Sequence, residues 1–257
     1  MLDSGAQVSK VDPAVFYWCQ STGEVYGILV CHVDDFIWGG NRQFLEVISK
    51  IRSIFSISKE CDTAFKYCGI EIVSHGDVFY LDQEAYTNAL STIDIGVSRS
   101  SDITAELSEH EKHTLRSKIG QLLWLAHQSR PDILFDGTRV SNNVNSATIE
   151  DVLEVNKIIA KAKTTQCGLK FQRLDASLND LFIAMYGDAS LGNMPNGGSQ
   201  GGYIVLLASH SGRFSPIWWN SKRIRRVVRS TLAAETLDLA EGIDSSIFYM
   251  YSFGRTS

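Results

Sequence analysis

Residues 27–40 read GILVCHVDDFIWGG, and this stretch decides how the first part of the chain folds. Two apolar runs flank the adjacent aspartates Asp34 and Asp35, and glycines stand at both ends. Because β-branched and aromatic residues favour strands whereas Asp favours turns, the pattern predicts a β-hairpin with both carboxylates at its tip. Adjacent carboxylates repel each other, and a divalent cation that prefers oxygen ligands, Mg²⁺ or Mn²⁺, would relieve that repulsion. An ordinary acidic turn explains the dipeptide equally well.

The composition is that of an ordinary globular protein, with 257 residues, of which 44% are hydrophobic and 21% charged. No apolar run approaches the ~20 residues that span a bilayer, and the N-terminus lacks the apolar segment of a signal peptide. The five cysteines are odd in number and show no CxxC spacing, which favours reduced thiols and argues against structural zinc. These features predict an intracellular protein with no membrane partner.

Basic charge is concentrated in one short stretch near the C-terminus, although the net charge of the chain is −5. The cations of this stretch are Lys222, Arg223, Arg225, Arg226 and Arg229. Such a cluster can contact the phosphates of a nucleic acid. It can equally be a solvated edge whose charges prevent strand-to-strand aggregation.

Strand-like and helical patterns follow one another along the chain and predict the α+β class. After the hairpin, Asn41 is a candidate N-cap for an amphipathic helix. Further elements of the first part are strands at 65–73 and 78–81 and a helix at 83–93. The polar stretch 98–106 marks a boundary.

A helical segment comes next, and two capping boxes begin its main helices, one formed by Ser108 with Glu111 and one by Thr148 with Asp151. From residue 169 onward the period becomes strand-like again. Strands are predicted at 169–172, 181–187, 202–208 and 216–220, followed by a helix at 230–251.

Two acidic residues of this last part suggest a second carboxylate site. Asp188 follows the strand at 181–187, and Glu235 lies near the start of the last helix among small apolar residues. A strand-borne Asp facing a helix-borne Glu suits two-metal hydrolysis of phosphodiesters, in which the ions lie about 4 Å apart. A turn aspartate and a glutamate that favours the first turn of a helix are the simpler explanation.

Taken in order, these residues resemble blocks of the Pol polyprotein of copia-type LTR retrotransposons. His32-Val33-Asp34-Asp35 is similar to the Tyr-Val-Asp-Asp box of reverse transcriptases. Further blocks of the family are similar, in the same order, to residues 11–16, 65–72, 81–86, 119–133, 167–169, 188–190, 201–203, 218–222 and 230–235. The resemblance covers nearly the whole chain.

The resemblance implies RNA-directed DNA synthesis and cleavage of the RNA strand of a hybrid. Asp34 and Asp35 match the palm ligands of Mg²⁺ or Mn²⁺, with Asp34 the better candidate for direct ligation, and Asp188 and Glu235 match two ligands of the ribonuclease H part. The basic stretch would then lie beside the hybrid. The implied partners are an RNA/DNA hybrid or primer-template and the remainder of the polyprotein, in cytoplasmic virus-like particles or in the nucleus.

By the same resemblance, residues 1–97 are the C-terminal part of a palm, 98–167 a helical thumb or connection region, and 168–257 a truncated ribonuclease H-like domain. An earlier palm aspartate and a later nuclease ligand have no counterpart, and His32 and Ser190 depart from the usual residues. Asp238 and Asp244 do not occupy the matching block. We therefore expect a fragment without polymerase activity and with at most residual nuclease activity. A non-catalytic remnant that binds nucleic acid and an inert pseudogene product are the alternatives.

Overall fold

The computed structural model describes residues 1–165, 167–177, 180–194 and 197–252. Helices and antiparallel sheets make up its elements, so the predicted α+β class is confirmed. The chain divides into two compact units, one formed by Met1–Gly69 with the end of the chain from Phe248, the other by Ile70–Ile247. The predicted three-part organisation at 97/98 and 167/168 stays a prediction.

The first unit contains an antiparallel sheet and one long helix. Its elements are β1 (Gln7–Val8), β2 (Val15–Cys19), β3 (Val25–His32), β4 (Asp35–Gly40), α1 (Phe44–Ile54) and β5 (Ala64–Tyr67). Strands β1 to β4 are paired in chain order. The predicted hairpin at 27–40 is confirmed, since His32 pairs with Asp35 and only Val33 and Asp34 form the turn. The predicted N-cap Asn41 lies two residues too early, because the cap position is Gln43 and the Asn41 Oδ1 accepts the N–H of Gln43 at 2.9 Å in the turn before the helix.

The side chain of Phe44 is the centre of this unit. It is fully buried, and its ring lies 4.9 Å from that of Trp18 and 6.0 Å from that of Trp38. Gly27 and Gly40 face each other in the sheet, and a Cβ atom on either would lie 2.0 Å or 2.6 Å from the Phe44 ring. The two glycines that bracket the hairpin therefore give the helix its close approach to the sheet.

The second unit begins with strands and continues with helices. Strands β6 (Ile70–His75), β7 (Val78–Asp82) and β8 (Leu169–Gln172) pair antiparallel in that order. The helices between β7 and β8 are α2 (Glu84–Ala89), α3 (Val97–Ser100), α4 (Glu109–Gln128), α5 (Leu134–Ser141) and α6 (Ile149–Thr164). Both capping boxes form as predicted at the starts of α4 and α6. Residues 169–172 are the predicted strand, and they pair with β7.

Two predicted elements of this region are wrong in extent. The strand at 65–73 is interrupted by Cys68 and Gly69, whose φ values of 49° and 81° no strand accommodates. The helix at 83–93 ends at Ala89, because the backbone of Ile93 bonds instead to the side chain of Asn156 in α6, in both directions at 2.8 and 2.9 Å. These tertiary hydrogen bonds replace the ones that a longer helix would form.

The C-terminal sheet has three antiparallel strands in the order β11-β10-β9, followed by a helix. Its elements are β9 (Leu181–Ser190), β10 (Ser199–Ser209), β11 (Phe214–Ile224) and α7 (Thr231–Ser252). The core of the second unit runs through α4, α5, α6 and β8 and includes Trp219 of β11, whose indole Nε1–H donates to the carbonyl of Ala126 at 2.9 Å. Within the described residues, no helix has the length and apolarity needed to cross a bilayer.

Candidate nucleic-acid interface and carboxylate sites

The tip of the β3–β4 hairpin carries the first candidate pair. Asp34 occupies the turn and Asp35 is the first residue of β4, and both are exposed. The preceding Val33 has a φ of 54°, an uncommon conformation for a β-branched residue. Beneath the tip, the ring of Tyr67 lies edge-on to His32 at 6.4 Å. Burial, together with the charges of Cys68, Cys31 and Asp35, raises the pKa of Tyr67 to about 12.

The hairpin tip does not provide a complete site for Mg²⁺ or Mn²⁺, and neither does any other described part of the chain. No three His, Cys, Asp or Glu side chains in those residues are arranged to hold a metal ion. Asp34 and Asp35 thus offer two exposed carboxylates of the right chemistry and no third ligand. Their role as metal ligands stays a prediction.

The second candidate pair lies on β9 and α7. Asp188 is inside β9, paired with Gly202 of β10, so the interpretation of Asp188 as a turn residue is wrong. Glu235 reaches the same strand, because its Oε2 accepts the N–H of Ala189 at 3.2 Å across a separation of 46 positions. The fold therefore brings Glu235 to the residue next to Asp188.

The direction in which the Asp188 side chain leaves β9 follows from its neighbours in the sheet. Positions 187 and 201 face α7, since a Cβ atom built at either glycine would meet a side chain of that helix. Because successive side chains of a strand point to opposite faces, Asp188 leaves β9 on the side away from α7. The residue types fit a divalent cation, but among the described residues Asp188 and Glu235 belong to no group of three His, Cys, Asp or Glu side chains that could hold one.

A third acid, Asp238, lies where α7 packs on the sheet. Only 6% of its surface is exposed, and it shares the buried face of α7 with Ala234 and Gly242. A Cβ atom at Gly187 would lie 2.8 Å from its Oδ2, and one at Gly201 would lie 2.3 Å from its Oδ1. The carboxylate therefore occupies the space that these glycines leave, and its Oδ2 has no hydrogen-bond partner among the residues that the structure describes.

Burial, together with the charges of Glu235, Glu241 and Asp188, raises the pKa of Asp238 to about 6, although a hydrogen bond from the Gly202 amide opposes the shift. Lys222 of β11 forms an ion pair with one of these acids, Glu241.

Without metal, the unmodified chain is expected to lose stability relative to the Asp238→Asn variant as the pH rises from about 4 to about 6. The quantity compared is the free energy of unfolding. Unfolded chains release this proton near the ordinary value of 3.8, while the folded chain holds it up to about 6, so rising pH favours unfolding of the unmodified chain in this window. Urea denaturation with a chelator at several pH values measures the effect. Asp244→Asn, an exposed acid on the same helix, serves as the control, and an equal slope in both variants would contradict the expectation.

The basic stretch separates into two groups. Lys222 binds Glu241, and the guanidinium of Arg223 lies against the backbone of Gly198. The other three cations of the stretch are exposed between the end of β11 and the start of α7, and these are Arg225, Arg226 and Arg229. They form no ion pair with any residue that the structure describes. These three guanidinium groups are available to an anionic partner.

A cavity of about 430 Å³ lies elsewhere in the second unit, between β7, α2, the end of α6 and β8. The buried Arg130 at its wall donates from Nε and Nη2 to Asp132 at 2.8 Å each, and from Nη1 to the carbonyl of Ala162 at 2.8 Å. These contacts give Arg130 a structural role, since they tie the segment after α4 to the last turn of α6.

Comparison with known proteins shows similarity over most of the chain. No protein-family model matches. A Saccharomyces cerevisiae protein named after transposon Ty5-1 is 25% identical over 83% of this chain and 71% of its own length. The Pol polyproteins of transposons RE1 and RE2 of Arabidopsis thaliana are 27% and 26% identical over 93% of this chain.

The chain is similar to retrotransposon Pol polyproteins over most of its length. It spans about a sixth of the length of the two plant polyproteins, 16% and 17%. The predicted resemblance to a retrotransposon Pol polyprotein is thereby confirmed, whereas the copia type and the individual domains stay predictions.

The motifs did not predict that Asp238 is buried between α7 and the sheet. A signal was present in the spacing of Ala234, Asp238 and Gly242, which recur every four residues and so share one face of a helix. The other two residues are small, which predicts a face in close contact with a sheet. Asp238 matches no block of the family, so the resemblance gives it no role.

Proposed function

We propose that the chain is the part of a copia-type Pol polyprotein that comprises the C-terminal palm, the thumb or connection region and a ribonuclease H-like sheet with its helix, and that it binds an RNA/DNA hybrid. The observation that carries the binding proposal is the exposure, beside β11 and α7, of three arginines that form no ion pair with any described residue, namely Arg225, Arg226 and Arg229. Guanidinium groups form two-point contacts with phosphate, and several of them on one edge suit the regular spacing of a nucleic-acid backbone. The similarity to Pol polyproteins supports the choice of partner.

Cleavage by this chain alone is proposed to be weak or absent. In the proposed nuclease, Asp188 and Glu235 would hold Mg²⁺ or Mn²⁺, which when bound activates water and stabilises the leaving oxygen. Glu235 is held in place by the Ala189 N–H, but Asp188 leaves β9 on the other side. We therefore propose no hydrolytic step for Asp188 and Glu235 in this chain alone. We likewise propose no polymerisation step for Asp34 and Asp35.

Replacing Arg225, Arg226 and Arg229 together by Ala is expected to weaken hybrid binding and to reduce the slope of log affinity against log salt by about 2–3, because each lost phosphate contact removes about one unit. Fluorescence anisotropy of a labelled RNA/DNA hybrid over a salt series measures both quantities. Arg173→Ala with Arg213→Ala is the matched control, since both of these exposed arginines pair with Asp175. An unchanged slope in the triple variant would refute the proposed interface.

Cleavage decides between the two candidate functions. If the unmodified chain cuts the RNA strand with Mg²⁺ or Mn²⁺, and Asp188→Asn and Glu235→Gln abolish the cut, it is a weak nuclease. The absence of a converging group of three ligands among the described residues favours the second candidate, a non-catalytic hybrid-binding protein. Salt-dependent binding that persists in both acid variants, with no cleavage by the unmodified chain, would support that candidate.

A further inference from the structure

Strand β9 forms an open edge of the C-terminal sheet. It pairs with β10 on one side, and no strand of the described chain pairs with its other side. The strand is ten residues long, Leu181–Ser190, and its only charged residue is Asp188. Proteins usually protect an edge of this length with lysine, proline, a β-bulge or a covering element. β9 contains no lysine or proline, and its pairing with β10 runs without a register shift.

The backbone of this edge offers unpaired donors and acceptors. Ala189 donates its N–H to Glu235 of α7 at 3.2 Å, so this N–H points away from β10. Backbone groups alternate in direction along an antiparallel strand. The remaining odd-numbered residues of β9 therefore also turn their N–H and C=O groups outward, and these are Leu181, Ile183, Met185 and Gly187.

The even-numbered side chains of β9 fit a second copy of the same strand. Phe182 is 39% exposed and Tyr186 is 66% exposed, and both lie on the face of the sheet away from α7. When two β9 strands run antiparallel about a two-fold axis at Ala184, Phe182 of each copy lies opposite Tyr186 of the other. Aromatic pairs across neighbouring strands stabilise a sheet, and this register forms two of them.

We propose that two copies of this chain form a dimer through β9, with the strands antiparallel about a two-fold axis at Ala184. The backbone of Leu181 then bonds to that of Gly187 in the second copy. Ile183 bonds to Met185 in the same way, so the outward backbone groups gain partners and the two three-stranded sheets become one. A two-fold contact closes on itself and therefore ends at a dimer. This dimer goes beyond hybrid binding and does not depend on it.

Charge determines both the extent of the contact and the kind of partner. Residues 181–187 carry no charge, so no like charges meet within the paired segment. Directly beyond it, the register places Asp188 opposite Asp180 of the second copy, and like charges there oppose further pairing. The N–H of Ala189 is already bonded to Glu235. An uncharged strand of matching length therefore suits this edge better than a basic or an acidic peptide.

Two variants with different charges at the same positions test the register. Phe182→Lys with Tyr186→Lys places ammonium groups opposite each other at both pairs, and it is expected to raise the dimer dissociation constant by about tenfold or more. Phe182→Lys with Tyr186→Glu places an ammonium group opposite a carboxylate, and its dimer is expected to be at least about tenfold tighter than that of the first variant. Sedimentation velocity of the full chain over a concentration series measures these constants.

The matched control is Phe79→Lys. Phe79 is 42% exposed and lies on β7, which has neighbouring strands on both sides, so its substitution is expected to leave the dimer unchanged. Equal weakening in this control would show general hydrophobic association and overturn the proposal. Far-UV circular dichroism verifies folding. Tyr186→Lys alone, which is also expected to weaken the dimer, keeps the proposal testable if a double variant does not fold.

Three further results would also overturn the proposal. The first is an unmodified chain that stays monomeric at every concentration. The second is an equal dissociation constant in the two charge variants, and the third is growth of the unmodified chain beyond a dimer. None of these results changes the hybrid-binding assay, because the arginines of that interface lie outside β9.

Discussion

Phe44→Ala is expected to lower the free energy of unfolding of the first unit by about 3–5 kcal/mol, the usual range for removing a buried phenyl ring. The ring is fully buried between Trp18, Tyr26 and Trp38, whose ring centroids lie 4.9, 6.3 and 6.0 Å away. Its position over Gly27 and Gly40 leaves no neighbouring side chain there to fill the cavity. The loss should therefore approach the upper part of that range.

Urea denaturation followed by tryptophan fluorescence measures the effect, since Trp18 and Trp38 both belong to the first unit. The matched control is Phe55→Ala directly after the same helix, where the residue is 42% exposed and the expected loss is below about 1 kcal/mol. A loss in Phe44→Ala no larger than that of the control would show that Phe44 does not organise this unit.

Arg130→Met is expected to destabilise the second unit by about 3 kcal/mol, the lower end of the range for breaking a buried ion pair. The substitution removes two donors from Asp132 and one from the carbonyl of Ala162. We expect the lower end because the side chain of Asp132 is 28% exposed, so water can partly replace the lost contacts. Arg130→Lys should recover little, since an ammonium group cannot make two parallel bonds and reach Ala162 as well.

Chemical denaturation of the second unit compares these variants with Arg99→Met. Arg99 also binds a carboxylate, that of Glu111, through Nε and Nη2, but 39% of its side chain is exposed. Exposed pairs contribute about 0–1 kcal/mol, so this control should lose much less stability. Equal losses in both arginine variants would refute a special structural role for Arg130.

Local sequence signals predicted the elements whose hydrogen bonds are local. The hairpin at 27–40 and both capping boxes formed as expected, because turn and cap residues satisfy their own backbone neighbours. The helix at 83–93 was too long for the opposite reason. Ile93 bonds to Asn156, 63 positions away, and no local pattern contains that contact.

The candidate sites also differ in whether neighbouring residues or tertiary packing determine them. Asp34 and Asp35 lie at the hairpin tip, as the sequence indicates, because two neighbouring strands alone determine that place. The burial of Asp238 depends instead on how α7 sits against β9 and β10, so its environment follows from packing and not from its neighbours in the chain. The glycines at 187 and 201 make that packing possible, but their sequence pattern alone does not name the residue that fills the space.

The hydrogen bond from Trp219 to Ala126 also bears on the order of events during synthesis. Its two residues are 93 positions apart, and Leu81 pairs with Leu169 across a similar distance. A ribosome therefore releases α4, α5 and α6 well before β11 exists to cover them. Nascent chains of this protein should carry uncovered apolar helix surface through that interval, which makes them natural clients for chaperones until residue 219 emerges.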